Sequence, residues 1–441
     1  MSYSISKKFS FGSLLSFAMP SVVMMVFSSL YAIVDGVFIS RFVGSDALSA
    51  SNIVFPVITV IIAISVMLGS GGSAVVARRM GEGKFESARE GFSLIVFTGI
   101  IFGIFMMIVG LKWIKPIVLL LGATDRLLNH GMIYIGILLI FGPLYVLQLL
   151  FQVFFVTEGR PDIGLAVTVV GGVANGIFDY IFMGPLHMGI AGAAIATGIG
   201  QAIPGLFGLF YFIFHRKNLY IVKFKFDFEL LKESCLNGSS EMVSNMATSV
   251  VTFLFNIIML RLQGEEGVAA ITIALYGQFL FNSLYLGYSM GVAPVISFNY
   301  GKKDHEMLKK IIHICIAFFA VASIAITIEA LVFNDLVVGI FAPKGTRTYE
   351  IGVKGCFLFA FNFLFSGINI FASSMFTALS NGKISATISF LRTFVFLVLS
   401  ILFMPALIGE AGVWLSVPIA EVVTSIIAIF IIFKKKSTYG Y

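Results

Sequence analysis

The sequence predicts an all-α integral membrane protein: twelve transmembrane helices in two six-helix bundles related by a pseudo-two-fold axis along the membrane normal. Three observations carry that expectation. First, 59% of the 441 residues are hydrophobic, only 12% are charged, and the mean hydropathy is +1.01. So few charges cannot hydrate the surface of a soluble chain of this size, so a bilayer has to be the solvent. Second, nearly continuous apolar runs recur from Leu14 to Phe433, each long enough, at about 20 residues, to cross about 30 Å of hydrocarbon as a helix. The alternation of a β-barrel is absent. Third, the two halves of the chain match at one constant spacing.

Polar punctuation places the spans near 14–40, 52–77, 92–111, 131–156, 162–183, 189–214, 237–260, 268–297, 312–334, 351–378, 384–404 and 411–433. The first run is already a full span carrying Pro20 and Asp35, so it is expected to be retained rather than cleaved as a signal. With the N-terminus inside, 20 of the 29 Lys and Arg residues fall on inner segments. That bias puts both termini in the cytoplasm of a multi-pass plasma (inner) membrane protein. The longest polar connection, His215 to Glu233, divides the chain into an N-terminal bundle over 1–214, a cytoplasmic linker over 215–236 and a C-terminal bundle over 237–441.

The repeat is read from one spacing of 220 residues, which sets Arg41 on Arg261, Gly44 on Gly264, Ala50 on Ala270, Gly71 on Gly291 and Gly81 on Gly301. The same spacing later sets Pro185 on Pro405, Gly189 on Gly409, Ala191 on Ala411 and Gly192 on Gly412. Chance matches of common residues would not keep one offset across two separated stretches, so the unit is duplicated. Six spans per copy is an even number, and the copies therefore share an orientation. Parallel repeats of this kind rock against each other around a midplane site.

Six charged residues fall inside the expected spans: Asp35, Asp179, Glu241, Glu329, Arg392 and Glu421. Each costs roughly 2.5–3.5 kcal/mol or more at a helix centre and needs a partner, a cavity or a proton. Asn175 precedes Asp179 by one helical turn, so the two share a face. At the 220-residue spacing Asp35, Asn175 and Asp179 are answered by Phe255, Val395 and Leu399. Packing alone does not require that asymmetry. It points to a cation-responsive site confined to the N-terminal bundle, with Thr197 of the sixth span in reach of Asp179. Gly172 with Gly176, and Gly192, Ala196 and Gly200, permit close helix approach. In the second half, Glu241 and Arg392 are expected either to pair as a structural bridge or to line a substrate cavity, while Glu329 and Glu421 are expected near interfaces. Pro20 removes a helix hydrogen bond and offers the first span a hinge.

Other chemistries find no support. Cys235, Cys315 and Cys356 are odd in number and scattered, so neither disulfides nor a thiolate metal site is expected. No His-Glu-x-x-His pair and no phosphate-binding loop occurs, which disfavours hydrolysis, ATP-driven transport and any cofactor. Basic residues cluster at helix ends, where they meet anionic lipid headgroups, so nucleic acid is not an expected partner.

Several stretches resemble the multidrug and toxic compound extrusion (MATE) family, and within it the DinF-like and related Gram-positive branch. They are Pro20 fifteen residues before Asp35, the run from Val34 to Ile39, Gly69 to Ser73 continuing to Arg78 through Gly81, and Gly287 to Pro294 continuing to Asn299 through Gly301. The resemblance implies a proton- or sodium-responsive site made of Asp35, Asn175, Asp179, Tyr134 and Thr197, with any Na⁺ at Asp35, Asn175, Asp179 and Thr197. It further implies a monomeric antiporter, not an enzyme, that exports small organic cations in exchange for H⁺ or Na⁺. NorM-like relatives use acids in the seventh and tenth spans, and this chain has no acid in its tenth. Two other readings stay open at this point: a flippase for a lipid-linked precursor, and an ion-sensing membrane scaffold that does not transport.

Overall fold

The structure is a computed structural model that describes residues 5–441. Fifteen α-helices run in chain order: α1 Phe11–Phe38, α2 Ser45–Gly81, α3 Phe85–Lys112, α4 Ile114–Leu120, α5 Asp125–Thr157, α6 Pro161–Met183, α7 Gly189–Phe214, α8 Phe228–Gly301, α9 His305–Val332, α10 Asn334–Phe341, α11 Arg347–Phe359, α12 Phe363–Ala378, α13 Gly382–Phe390, α14 Leu397–Ile408 and α15 Glu410–Tyr439. No strand occurs among the described residues. Among the described residues, eleven helical stretches are long and apolar enough to cross a membrane. One of them, α8, has 74 residues, and a straight helix of that length would reach about 110 Å. It is folded back at Gly264, where φ is 69° and ψ is −156°, so it supplies two spans and brings the number to twelve.

The tenth span is α11 and α12 joined through a 3₁₀ turn at Ala360–Asn362. The eleventh is α13 and α14 joined through a π turn at Leu391–Phe396. Two further departures from the sequence reading are the short helices α4 and α10, which fill segments expected to be loops. The segment between bundles is irregular only through Asp227; the rest of the expected 215–236 linker is already the start of α8, capped by the Asp227 side chain accepting from the Leu230 amide at 3.0 Å.

Backbone conformation repeats with the sequence. Gly44 (φ 110°) answers Gly264 (φ 69°), and Gly189 (φ 60°) answers Gly409 (φ 63°). All four join consecutive spans in the left-handed region, where a side chain would be strained.

The same relation governs how the bundles meet. Gly81 lies against the Phe298 carbonyl while Gly301 lies against that of Arg78, so residues and partners exchange under the 220-residue shift. Likewise Gly71 lies against Gly238, and Gly291 against Ala18. Two crossings related in this way require a two-fold axis between α1–α2 and α8. With no side chain between them the backbones reach contact distance, which leucine or phenylalanine there would forbid. This glycine seam lies toward the side of the molecule where the segment 215–227 runs.

Candidate functional site

Four helices of the N-terminal bundle converge on one polar spot. Gly172 of α6 lets Phe27 and Tyr31 of α1 come close, and Gly171 and Gly200 bring α6 and α7 backbone to backbone. Gly200 lies directly against the Cβ of Asn175. Gly176, by contrast, has open space where a side chain would sit and does not serve the packing.

At this spot Asp35 of α1 faces Asp179 of α6 and Thr197 of α7 within interaction range, and Asp179 also faces Asn175. Tyr134 of α5 lies against both acids and Thr197. The structure thus brings Asp35, Asn175, Asp179, Thr197 and Tyr134 together. Asp179 is 0% exposed and Asn175 is 3% exposed. Among the described residues, neither oxygen of Asp179, nor Oδ1 of Asp35, nor Nδ2 of Asn175 has a hydrogen-bond partner. Thr197 gives its hydroxyl hydrogen to the Ala193 carbonyl at 2.9 Å, which leaves its lone pairs turned outward. Two carboxyl groups that face each other form a hydrogen bond with one another only when a proton lies on one of them. Alternatively a cation sits between them. Left charged and dry, they repel at full cost.

Beside the acids lies a small polar pocket lined by Tyr31, Gln148, Thr168, Asn175, Thr197 and Gln201. Gln148 is buried and its Oε1 is without a partner. Gln148, Tyr31 and Gln201 carry no formal charge and so do not stand out in the sequence. An uncharged amide in the middle of the 131–156 apolar run was the available signal.

The C-terminal bundle corrects two expectations. Arg392 does not bridge to Glu241. Its Nη2 and Nε donate to Glu421 at 2.7 and 2.9 Å, and Asn369 Nδ2 donates to the same carboxylate at 2.6 Å. Glu421 is 4% exposed and lies inside the bundle, not near an interface. The π turn at Leu391–Phe396 carries Arg392, and Ser425 completes the network by donating to Asn369 Oδ1 at 3.0 Å. Glu241 is half-buried on α8, within electrostatic reach of Arg392 but in no ion pair among the described residues. Glu329 is exposed three residues from the end of α9. Pro20 sits in α1 beside Ser21 and Val22, which pack against Gly287.

Twelve spans in two parallel copies, with unsatisfied acids buried in one copy only, define the class of a repeat-built membrane transporter. The MatE family profile matches residues 20–181 and again residues 242–402, one match per copy, and the chain belongs to that family of multidrug efflux transporters. The chain is 24% identical to the multidrug export protein MepA of Staphylococcus haemolyticus over 97% of this chain and 94% of that protein. It is equally 24% identical to MepA of Staphylococcus aureus, over 98% of this chain and 95% of the relative. Among solved structures, an outward-facing conformation of a multidrug resistance MATE family transporter superposes with a TM-score of 0.92 at 23% identity, covering 98% of this chain and 97% of that one.

Proposed function

We propose that the chain is a secondary antiporter that exports amphipathic organic cations in exchange for H⁺ or Na⁺. The observation that carries this reading is the pair Asp35 and Asp179, facing each other with neither in an ion pair among the described residues. Binding one proton or one cation there removes a repulsion, and that change in free energy is what alternating access needs to favour one state over the other. The bundles over 1–214 and 237–441 would rock about the two-fold axis, with the glycine seam closed in one state and parted in the other. Both termini and the linker lie in the cytoplasm on this reading, since the basic residues concentrate on that side.

Arg392 is neutralised by Glu421, so Glu241 is left as the acid available to a positively charged compound in the C-terminal half. A flippase for a pyrophosphate-linked lipid would need free cationic groups in the membrane interior, and the one arginine there is already bound. The test is efflux from proteoliposomes of a cationic and a neutral dye, with Glu241→Gln alongside the parent. The proposal expects gradient-driven efflux of the cation and a selective loss of it in the variant. Equal loss for both dyes would remove Glu241 from substrate binding, and no gradient-driven efflux by the parent would overturn the antiporter.

A further inference from the structure

The segment from His215 to Asp227 has no helix or strand, yet it is fixed to the N-terminal bundle along its length. Glu158, at the end of α5, is 3% exposed and accepts the backbone amides of Leu219 at 2.6 Å and Asn218 at 3.2 Å. Arg89 of α3 donates to the carbonyls of Asn218 at 3.0 Å and Lys217 at 3.3 Å, and its guanidinium lies 4.4 Å from the centre of the Tyr220 ring. Four residues along α3, Ser93 accepts the Val222 amide at 2.9 Å. Four residues further, Phe97 meets Phe224 with ring centres 5.5 Å apart.

The strap therefore climbs α3 one turn at a time, away from its end and toward the bilayer. Its destination is a lipid-facing surface: Phe97, Ile101, Ile104, Phe105 and Ile108 are all exposed and follow helical spacing down one side of α3. At the top of the climb the residues alternate. Val222 and Phe224 turn inward onto α3, while Lys223 and Lys225 are exposed. Phe226 is 72% exposed and Phe228 is 64% exposed, where α8 begins. The nearby acids are occupied, Asp227 by Arg79 at 3.5 Å and Glu233 by Arg78 at 2.6 Å. Neither Lys223 nor Lys225 is in an ion pair among the described residues, and Glu229 is the one acid of the run left over.

We propose that residues 223–228 form a binding surface for anionic phospholipid headgroups of the adjacent leaflet. Lys223 and Lys225 take the phosphate charge, and Phe226 and Phe228 enter the acyl boundary. Charge complementarity and continuity with the apolar face of α3 select lipid as the occupant: alternating lysine and phenylalanine at an interface puts an ammonium at headgroup level and a ring just below it. The strap is held rigidly by Glu158 and Arg89, so headgroups bound to it move with the N-terminal bundle. The inference holds whichever ion drives transport.

The test places a reporter on the strap. Phe226→Trp is reconstituted in phosphatidylcholine vesicles containing either brominated phosphatidylglycerol or brominated phosphatidylcholine, and the signal of Trp113 and Trp414 is subtracted with the parent chain. Both lipids should quench the new tryptophan, the anionic one with a preference of roughly 30-fold from two lysines near the headgroup plane. Adding Lys223→Gln and Lys225→Gln should bring the two lipids level, whereas arginine at both positions should keep the preference. Equal quenching in the Phe226→Trp chain, a preference that survives the two glutamines, or no quenching by either lipid would overturn the proposal. The readout does not depend on transport, so a failed efflux assay and a failed lipid site are told apart.

Discussion

Gly287 is the place where one methyl group should shift the whole molecule. A Cβ there would lie 2.6 Å from Val22 Cα and 2.7 Å from the Ser21 carbonyl oxygen, both backbone atoms of α1. Ordinary contact begins near 3.4 Å, so α1 and α8 have to separate by about 0.8 Å, and neither partner is a side chain that could turn aside. Overpacking of this kind costs about 1–3 kcal/mol. The contact lies between bundles, not within one, so the cost falls on the seam-closed arrangement. Gly287→Ala should then move the balance between closed and parted seams by about 5- to 150-fold. Pulsed electron resonance between nitroxides at positions 86 and 306, both exposed and related by the repeat, reads the separation directly once Cys235, Cys315 and Cys356 are replaced. The variant should gain a longer distance that the parent lacks. An unchanged distance distribution in a well-folded variant would refute the claim that the glycine seam sets the closed state.

Two further outcomes follow. Glu421→Gln leaves the Arg392 guanidinium buried without its anion and should cost about 3–5 kcal/mol, whereas Arg392→Met with Glu421→Leu should come close to the parent; thermal unfolding in detergent checks both, and single variants costing under about 1 kcal/mol would contradict the bridge. Burial pushes the Glu158 carboxyl up from 4.5 to about 7, against the pull of the Leu219 and Asn218 amides. A raised value means the folded protein binds the proton more tightly than the unfolded chain, so the stability Glu158 contributes is fully present below about pH 4.5, falls as the pH rises to about 7 and is level above. Hydrogen-exchange protection of the Asn218 and Leu219 amides, corrected for intrinsic rate, should follow that course, and Glu158→Gln should flatten it.

What the sequence reveals is whatever repeats or carries formal charge. The 220-residue spacing is visible because the same glycines must sit at the same span junctions and crossings in both copies, and Gly44, Gly264, Gly189 and Gly409 all keep their left-handed backbone. Asp35 and Asp179 stand out because a lone acid in an apolar run has no cheap explanation. Which charges meet is another matter, since pairing depends on helix rotation. Arg392 lies on a π turn that shifts the face of the eleventh span, and it finds Glu421 rather than Glu241. Neutral polar residues such as Gln148 and Asn369 escape notice in the same way. Each is inexpensive alone and acquires its meaning from a neighbour distant in the chain. The strap at Glu158 and Arg89 is legible only as a polar loop until its backbone partners are known.

Whether Asp35 and Asp179 act as one ion-coupling unit is read most directly from efflux out of proteoliposomes under an imposed H⁺ or Na⁺ gradient for Asp35→Asn and Asp179→Asn. Asparagine keeps the volume and hydrogen-bonding shape while removing the charge that a proton or cation neutralises. Both variants should insert and fold, still bind the cationic substrate, and lose gradient-driven efflux together with its ion dependence. Undiminished gradient-driven efflux in both would contradict a coupling role for the pair.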